Sequence, residues 1–251
     1  MTDSQLPIQI LSDPAQLAQR AAQEFVDLSA TAIAERGRFL VVLSGGNTPR
    51  ATLRLLASRG LADRVDWQHV FVFWGDERCV PPDNAESNYG MARQMLLARV
   101  PIPSQNIHRM QGELDPSLAA DTYEALLHQY IEEDHLIRFD LIYLGMGEDG
   151  HTASLFPGTD AIHEKQRWVM AHYIEKMGMW RITLTPPVLN AAAHIRFLVQ
   201  GSAKAETVWR VLLGPRQVEQ FPSQIIQSYP DGDLLWLIDR AAAQKILSQE
   251  Q

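Results

Sequence analysis

The feature that most restricts how this chain can fold is a recurring unit: a strand-length apolar run, then a turn of glycine or charged residues. Phe39 to Leu43 is apolar throughout, and it is followed by Ser44-Gly45-Gly46-Asn47-Thr48 and a helical pattern opening at Pro49 with Leu53 and Leu56 inward. Similar runs stand at Val70 to Trp74, at Leu141 to Leu144, at Ile195 to Val199 before a helix from Ala203 to Leu213, and at Leu234 to Ile238. Runs without alternation suit strands buried on both faces, and strands joined through helices lie parallel. The expected fold is therefore α/β, a mostly parallel, doubly wound sheet flanked by helices. Ahead of it, Ser12 and Asp13 precede Pro14, and Leu17, Ala21, Phe25, Leu28 and Ile33 recur at near-helical spacing until Gly37, which predicts a first helix. No internal repeat or low-complexity linker divides the chain, so residues 1–251 read as a single domain. Pro81 to Asn88 reads as a loop, and Glu175 to Arg181 as a candidate mobile flap.

Composition narrows the setting. A chain of 251 residues that is 46% hydrophobic can bury a full core without disulfides, and its single cysteine, Cys79, cannot form an internal bridge. With no leader-like pattern at the N-terminus, a cytoplasmic location is expected. Charged or polar residues interrupt every apolar stretch before it reaches the ~20 residues that span a bilayer, so no membrane partner is expected. The formal charge of −8 repels polyanions and argues against nucleic acid as a partner. A small anion remains accessible if a few cations and backbone N–H groups converge on it.

Ligands of such sheets gather beyond the carboxyl ends of the strands, and here those positions carry the chemistry. Gly45 and Gly46 let the backbone N–H groups of the Ser44 to Thr48 turn approach an anion at a helix N-terminus; the competing reading is a tight turn with no ligand. Lys204, in the first turn of a predicted helix, is unfavourable against the helix dipole unless an anion lies nearby, or it is an ordinary solvated lysine. Asp76-Glu77-Arg78 follows a buried strand, so at least one of these charges should face a cleft rather than form a surface ion pair. Gly145-Met146-Gly147-Glu148-Asp149-Gly150 fits G-x-G-x-x-G, yet the unit sits in mid-chain and no helix clearly opens at its third glycine; it is not a dinucleotide site. Its glycines instead present His151, with Asp149 placed to orient the imidazole. Cys79 reads as a small buried thiol rather than a nucleophile. The other histidines, including His69, His108, His135 and His172, lack metal-ligand spacing, and neither metal nor cofactor is expected.

Taken in order, these segments resemble the 6-phosphogluconolactonase family from the first helix nearly to the C-terminus. The resemblance is carried by Leu43 to Pro49, by Trp74 to Arg78 with Ser87-Asn88-Tyr89, by Gly145 to Gly158, by Arg181 to Thr185 and by Gly201 to Ala205. It implies a modified Rossmann-like fold and hydrolysis of 6-phospho-D-glucono-1,5-lactone in the oxidative pentose phosphate pathway. His151 would be the general base oriented by Asp149, and Arg181, Lys204 and Ser44, Gly45, Gly46, Asn47 and Thr48 would hold the phosphate. Arg78 would lie near the lactone or phosphate, with Asp76 shaping the polar wall. Two other readings are glucosamine-6-phosphate deaminase/isomerase, whose family typically follows its histidine with Asn-Glu-Pro, and a non-catalytic sugar-phosphate sensor. Here Leu155-Phe156-Pro157-Gly158 stands in place of the former element, and no helix-turn-helix with a basic face supports the latter.

Overall fold

The computed structural model describes residues 7–131 and 136–249; His135 lies outside them. Among the described residues nine strands form two sheets: β1 (Ile8–Leu11), β2 (Phe39–Leu43), β3 (Val70–Trp74), β4 (Asp76–Arg78), β5 (Leu141–Leu144), β6 (Val169–Ile174), β7 (Met179–Leu184), β8 (His194–Val199) and β9 (Asp233–Asp239). The larger sheet has the order β1-β9-β8-β5-β2-β3, with every pairing parallel. The smaller one, β4-β7-β6, is antiparallel.

The apolar runs mark the larger sheet because its centre is covered on both faces. In β2, Phe39, Val41 and Leu43 enter one core with Phe25, Leu53 and Trp67, whereas Leu40 and Val42 enter the other with Phe139, Leu189 and Phe197. Helix α1 (Pro14–Arg36) covers the first face; the Asp13 carboxylate accepts from Ala15 and Gln16 N–H at its start, and Gly37 ends it in the left-handed region at φ 72°. Both ends follow the pattern read from the sequence.

Chain order makes the centre of this sheet a switch point. From β2 the chain passes outward to β3 on one side, while β5, β8, β9 and β1 build the other, so the loops leaving β2 and β5 diverge over a crevice at their carboxyl ends.

The smaller sheet is where structure and sequence reading part. Asp76-Glu77-Arg78 is a strand in its own right, and Glu175 to Arg181 is part of a hairpin: Glu175–Met177 is a single 3-10 turn closing β6–β7, and Arg181 is a buried residue of β7. Two helix starts also shift. Helix α2 (Asn47–Leu56) opens before Pro49, and Ser202–Lys204 forms a 3-10 turn before the helix Ala205–Leu213. Among the described residues, no helix is long and apolar enough to cross a membrane.

Behind β3, the His108 ring lies 4.8 Å from that of Phe73, its Nε2 is 2.6 Å from the Tyr130 hydroxyl, and burial pushes its pKa down to about 4. A histidine that resists charging in the folded state stabilises fully above its ordinary pKa near 6.5, and that contribution is lost as pH falls from there toward 4. Allowing for partial solvation of the ring, wild type should lose about 1–2 kcal/mol more between pH 7 and pH 5 than His108→Phe, measured by urea unfolding. Parallel stability curves for the two proteins would contradict this.

Candidate active site

A cleft of about 380 Å³ opens at the switch point, and the turns leaving β2, β5 and β8, together with β4 and β7, contribute its walls. Ser44, Gly45, Gly46, Asn47 and Thr48 line it, as do Asp76, Arg78, His151, Arg181 and Lys204. Asp149, the remaining residue singled out from the sequence, stands behind His151 and bonds it.

The loop after β5 is built around that pair. Asp149 Oδ1 lies 2.5 Å from His151 Nδ1 and also accepts the His151 backbone N–H at 3.3 Å. Its pKa is held well below the usual carboxylate range, first by the hydrogen bond to His151 and further by Lys176, whose Nζ donates to Oδ2 at 2.9 Å. An ionised carboxylate at Nδ1 keeps the proton on that nitrogen and leaves the Nε2 lone pair as the ring's free base. Phe156 stacks on the imidazole at 4.1 Å between ring centroids.

Glycine at 147 is required by contact, since a Cβ there would fall 2.1 Å from His151 Nδ1 and 2.6 Å from Asp149 Oδ1. Gly150 takes φ 76°, and Ala153 is the described non-glycine residue with positive φ, at 47°. The segment then runs into the Thr152–Leu155 bridge rather than a helix, which agrees with rejecting the dinucleotide reading.

The opposite wall is cationic. Arg78 and Arg181 are direct partners across the antiparallel β4–β7 pair, an arrangement that like charges disfavour. The Arg181 side chain is only 6% exposed, its Nη1 is 3.9 Å from Asp76 Oδ2, and its Nε is buried without a partner. Burial lowers its pKa, with Asp76 opposing and Arg78 adding to that shift. Arg78 donates from Nη1 to the Glu86 carbonyl at 2.5 Å, and its Nε is also buried without a partner. Lys204 enters from the far side, 4.0 Å from Glu148, with its pKa lowered by burial. At the mouth, Gly46 sits at φ 98° and no side chain caps α2, so its first backbone N–H groups are open to an acceptor. Two adjacent arginines with unpartnered buried donors, a lysine and an uncapped helix start make a site for an anion.

Sequence reasoning left several roles unassigned. Glu77 is turned away from the cleft and buried; its carboxylate accepts from Ser87 Oγ and from the N–H groups of Arg78, Asn88 and Tyr89, fixing the loop between β4 and the next helix. Asn88, noted only as part of a motif, donates from Nδ2 to the Asp76 carbonyl and carboxylate at 2.9 and 3.2 Å. A Cβ at position 45 would fall 1.9 Å from Asn88 Oδ1, so the glycine turn and this amide must meet without a side chain between them. Ser154 Oγ donates to Asp76 Oδ2 at 2.7 Å, and Gln200 and Met177 also line the cleft. Cys79 is half-buried, and desolvation raises its pKa to about 11, opposite to what a nucleophile needs.

Comparison with known proteins gives a consistent result. The profile described as Glucosamine-6-phosphate isomerases/6-phosphogluconolactonase matches residues 12–236. The 6-phosphogluconolactonase of Synechocystis is 39% identical over 242 residues, covering 95% of this chain and 98% of that one. Among solved structures, the devB protein superposes with a TM-score of 0.89 at 36% identity, covering 96% of this chain and 100% of that one. The 6-phosphogluconolactonase of Trypanosoma brucei superposes at 0.84 and 25% identity, with 96% and 99% covered. A profile spanning most of the sequence and a relative aligned over nearly all of both chains show that this chain belongs to the glucosamine-6-phosphate isomerase/6-phosphogluconolactonase family.

Proposed function

We propose that this protein hydrolyses 6-phospho-D-glucono-1,5-lactone to 6-phospho-D-gluconate, the lactonase step of the oxidative pentose phosphate pathway, as a cytoplasmic enzyme of one domain. The observation that carries the proposal is the pairing of an oriented histidine with an anion site across one cleft: Asp149 on His151 Nδ1, facing Arg78, Arg181 and Lys204. The naming of similar chains as 6-phosphogluconolactonase supports the choice of substrate.

In this mechanism the phosphate anchors the substrate on Arg181, Lys204 and the N–H groups of the Ser44 to Thr48 turn, with Arg78 between phosphate and lactone. His151 Nε2 takes a proton from water as its oxygen attacks the lactone carbonyl, and the charge moves to the carbonyl oxygen. The tetrahedral intermediate then collapses, the bond from carbonyl carbon to ring oxygen breaks, and the imidazolium returns its proton to that oxygen. Asp149 stabilises the imidazolium in between. The phosphate binding energy positions an ester that needs no covalent nucleophile. Phe156, stacked on His151, stands in the segment where the isomerase reading calls for an acidic side chain, which favours hydrolysis over proton transfer between sugar carbons.

His151→Ala should keep its fold and lose about 10²-fold or more in kcat on freshly generated lactone, after subtraction of the spontaneous rate. Undiminished turnover would remove His151 from the role. Gly147→Ala should lower kcat while leaving KM nearly unchanged, because the added methyl displaces the His151–Asp149 pair and not the cations. For Arg181→Met, the expected result is a KM raised about tenfold or more for the phosphorylated lactone, with hydrolysis of unphosphorylated glucono-1,5-lactone little altered. Equal losses on both substrates would place Arg181 outside phosphate binding.

A further inference from the structure

Lys176 lies at the closed end of the β6–β7 hairpin, in the 3-10 turn Glu175–Met177 that Gly178 ends at φ 60°. Its side chain is 72% exposed, yet Nζ reaches the Asp149 carboxylate at 2.9 Å. An exposed ion pair of this kind holds on the order of 1 kcal/mol or less, so it adds little to folding. Its location matters more. Asp149 Oδ1 is committed to the imidazole and to the His151 N–H, and Oδ2 is the oxygen that Lys176 takes. With a partner on each oxygen, rotation of the carboxylate plane away from Nδ1 would break the contact to Lys176 as well. The same hairpin places Met177 at the cleft and carries Arg181 within it. The hairpin that carries Arg181 therefore also reaches, through an ion pair, the carboxylate that orients the base.

We propose that Lys176 is a positioning residue for the reaction: it fixes the rotation of Asp149, and through it His151, by bridging the tip of the β6–β7 hairpin to the loop after β5. This rests on the lactonase reading above for its kinetic consequence, though not for its structural one. Held only by His151, Asp149 would exchange the ammonium for water and sample rotations in which Nδ1–H loses its acceptor. The ring would then spend part of its time with Nε2 off the line of attack. Substrate affinity would change little, since Lys176 contacts the orienting carboxylate and not the anion site.

The experiment compares wild type, Lys176→Met, Lys176→Arg and His151→Ala. On 6-phosphogluconolactone, Lys176→Met should lose about 3–10-fold in kcat with KM nearly unchanged, and Lys176→Arg should recover most of the loss. A kcat equal to wild type would overturn the proposal, and so would a raised KM with kcat intact, which would make Lys176 a substrate-binding residue. Independently of any substrate, the downfield proton resonance of the His151 Nδ1–H, assigned by its absence in His151→Ala, should broaden in Lys176→Met and persist in Lys176→Arg. If wild type fails to accelerate lactone hydrolysis, the functional reading falls and this resonance alone decides: broadening supports the bridge, and an unchanged signal in Lys176→Met overturns it.

Discussion

The site depends on one buried carboxylate. Asp76 accepts from Asn88 and from Ser154, and its charge stands beside the otherwise under-partnered Arg181 guanidinium. Each of these contacts comes from a different part of the chain: Asn88 from the helix that Glu77 ties down, Ser154 from the loop that carries the base, and Arg181 from β7. A carboxylate is expensive to bury unless its oxygens are satisfied, so the same desolvation that makes Asp76 costly makes the arrangement around it specific. Without it, two adjacent arginines would face each other across a strand pair without the carboxylate that stands nearest Arg181. The cleft is therefore poised, with enough negative charge to hold the cations in place and too few acceptors to satisfy them.

This also reconciles an acidic chain with an anionic ligand. A formal charge of −8 describes the mean field, and screening confines that field to about a Debye length of 8–10 Å. Inside the cleft the balance is set locally, by Arg78, Arg181, Lys204 and the open start of α2 against Asp76.

Much of this was legible in the sequence, and the division has a physical cause. β2, β3, β5, β8 and β9 announce themselves because strands covered on both faces must be apolar almost throughout, and α1 because its caps are local signals. The residues ending those strands are cleft residues because the topology puts them there. The smaller sheet was hidden: β4 is three charged residues, and β6 and β7 mix buried and exposed positions without a clean alternation. The hairpin that holds Glu175 to Arg181 accordingly left no strand signal, and Arg181 was legible only as part of a resemblance. Glu77, Asn88, Ser154 and Lys176 act through partners distant in sequence, and no local pattern records whom a side chain will meet.

The meeting of Gly45 with Asn88 carries a further implication for how such a chain can change over time. Because a methyl at 45 would occupy the space of the amide oxygen, position 45 cannot enlarge while Asn88 keeps its place, and Asn88 in turn is tied to Asp76 by its amide. A larger residue at 45 is admissible only alongside a smaller one at 88, and that exchange would strip Asp76 of a donor. The two sites lie in different motifs, yet they form one unit of inheritance: a single step at 45 is blocked, and the double step undoes the support of the cationic wall. The glycine is thus kept in place by a neighbour's hydrogen bond as much as by its own turn.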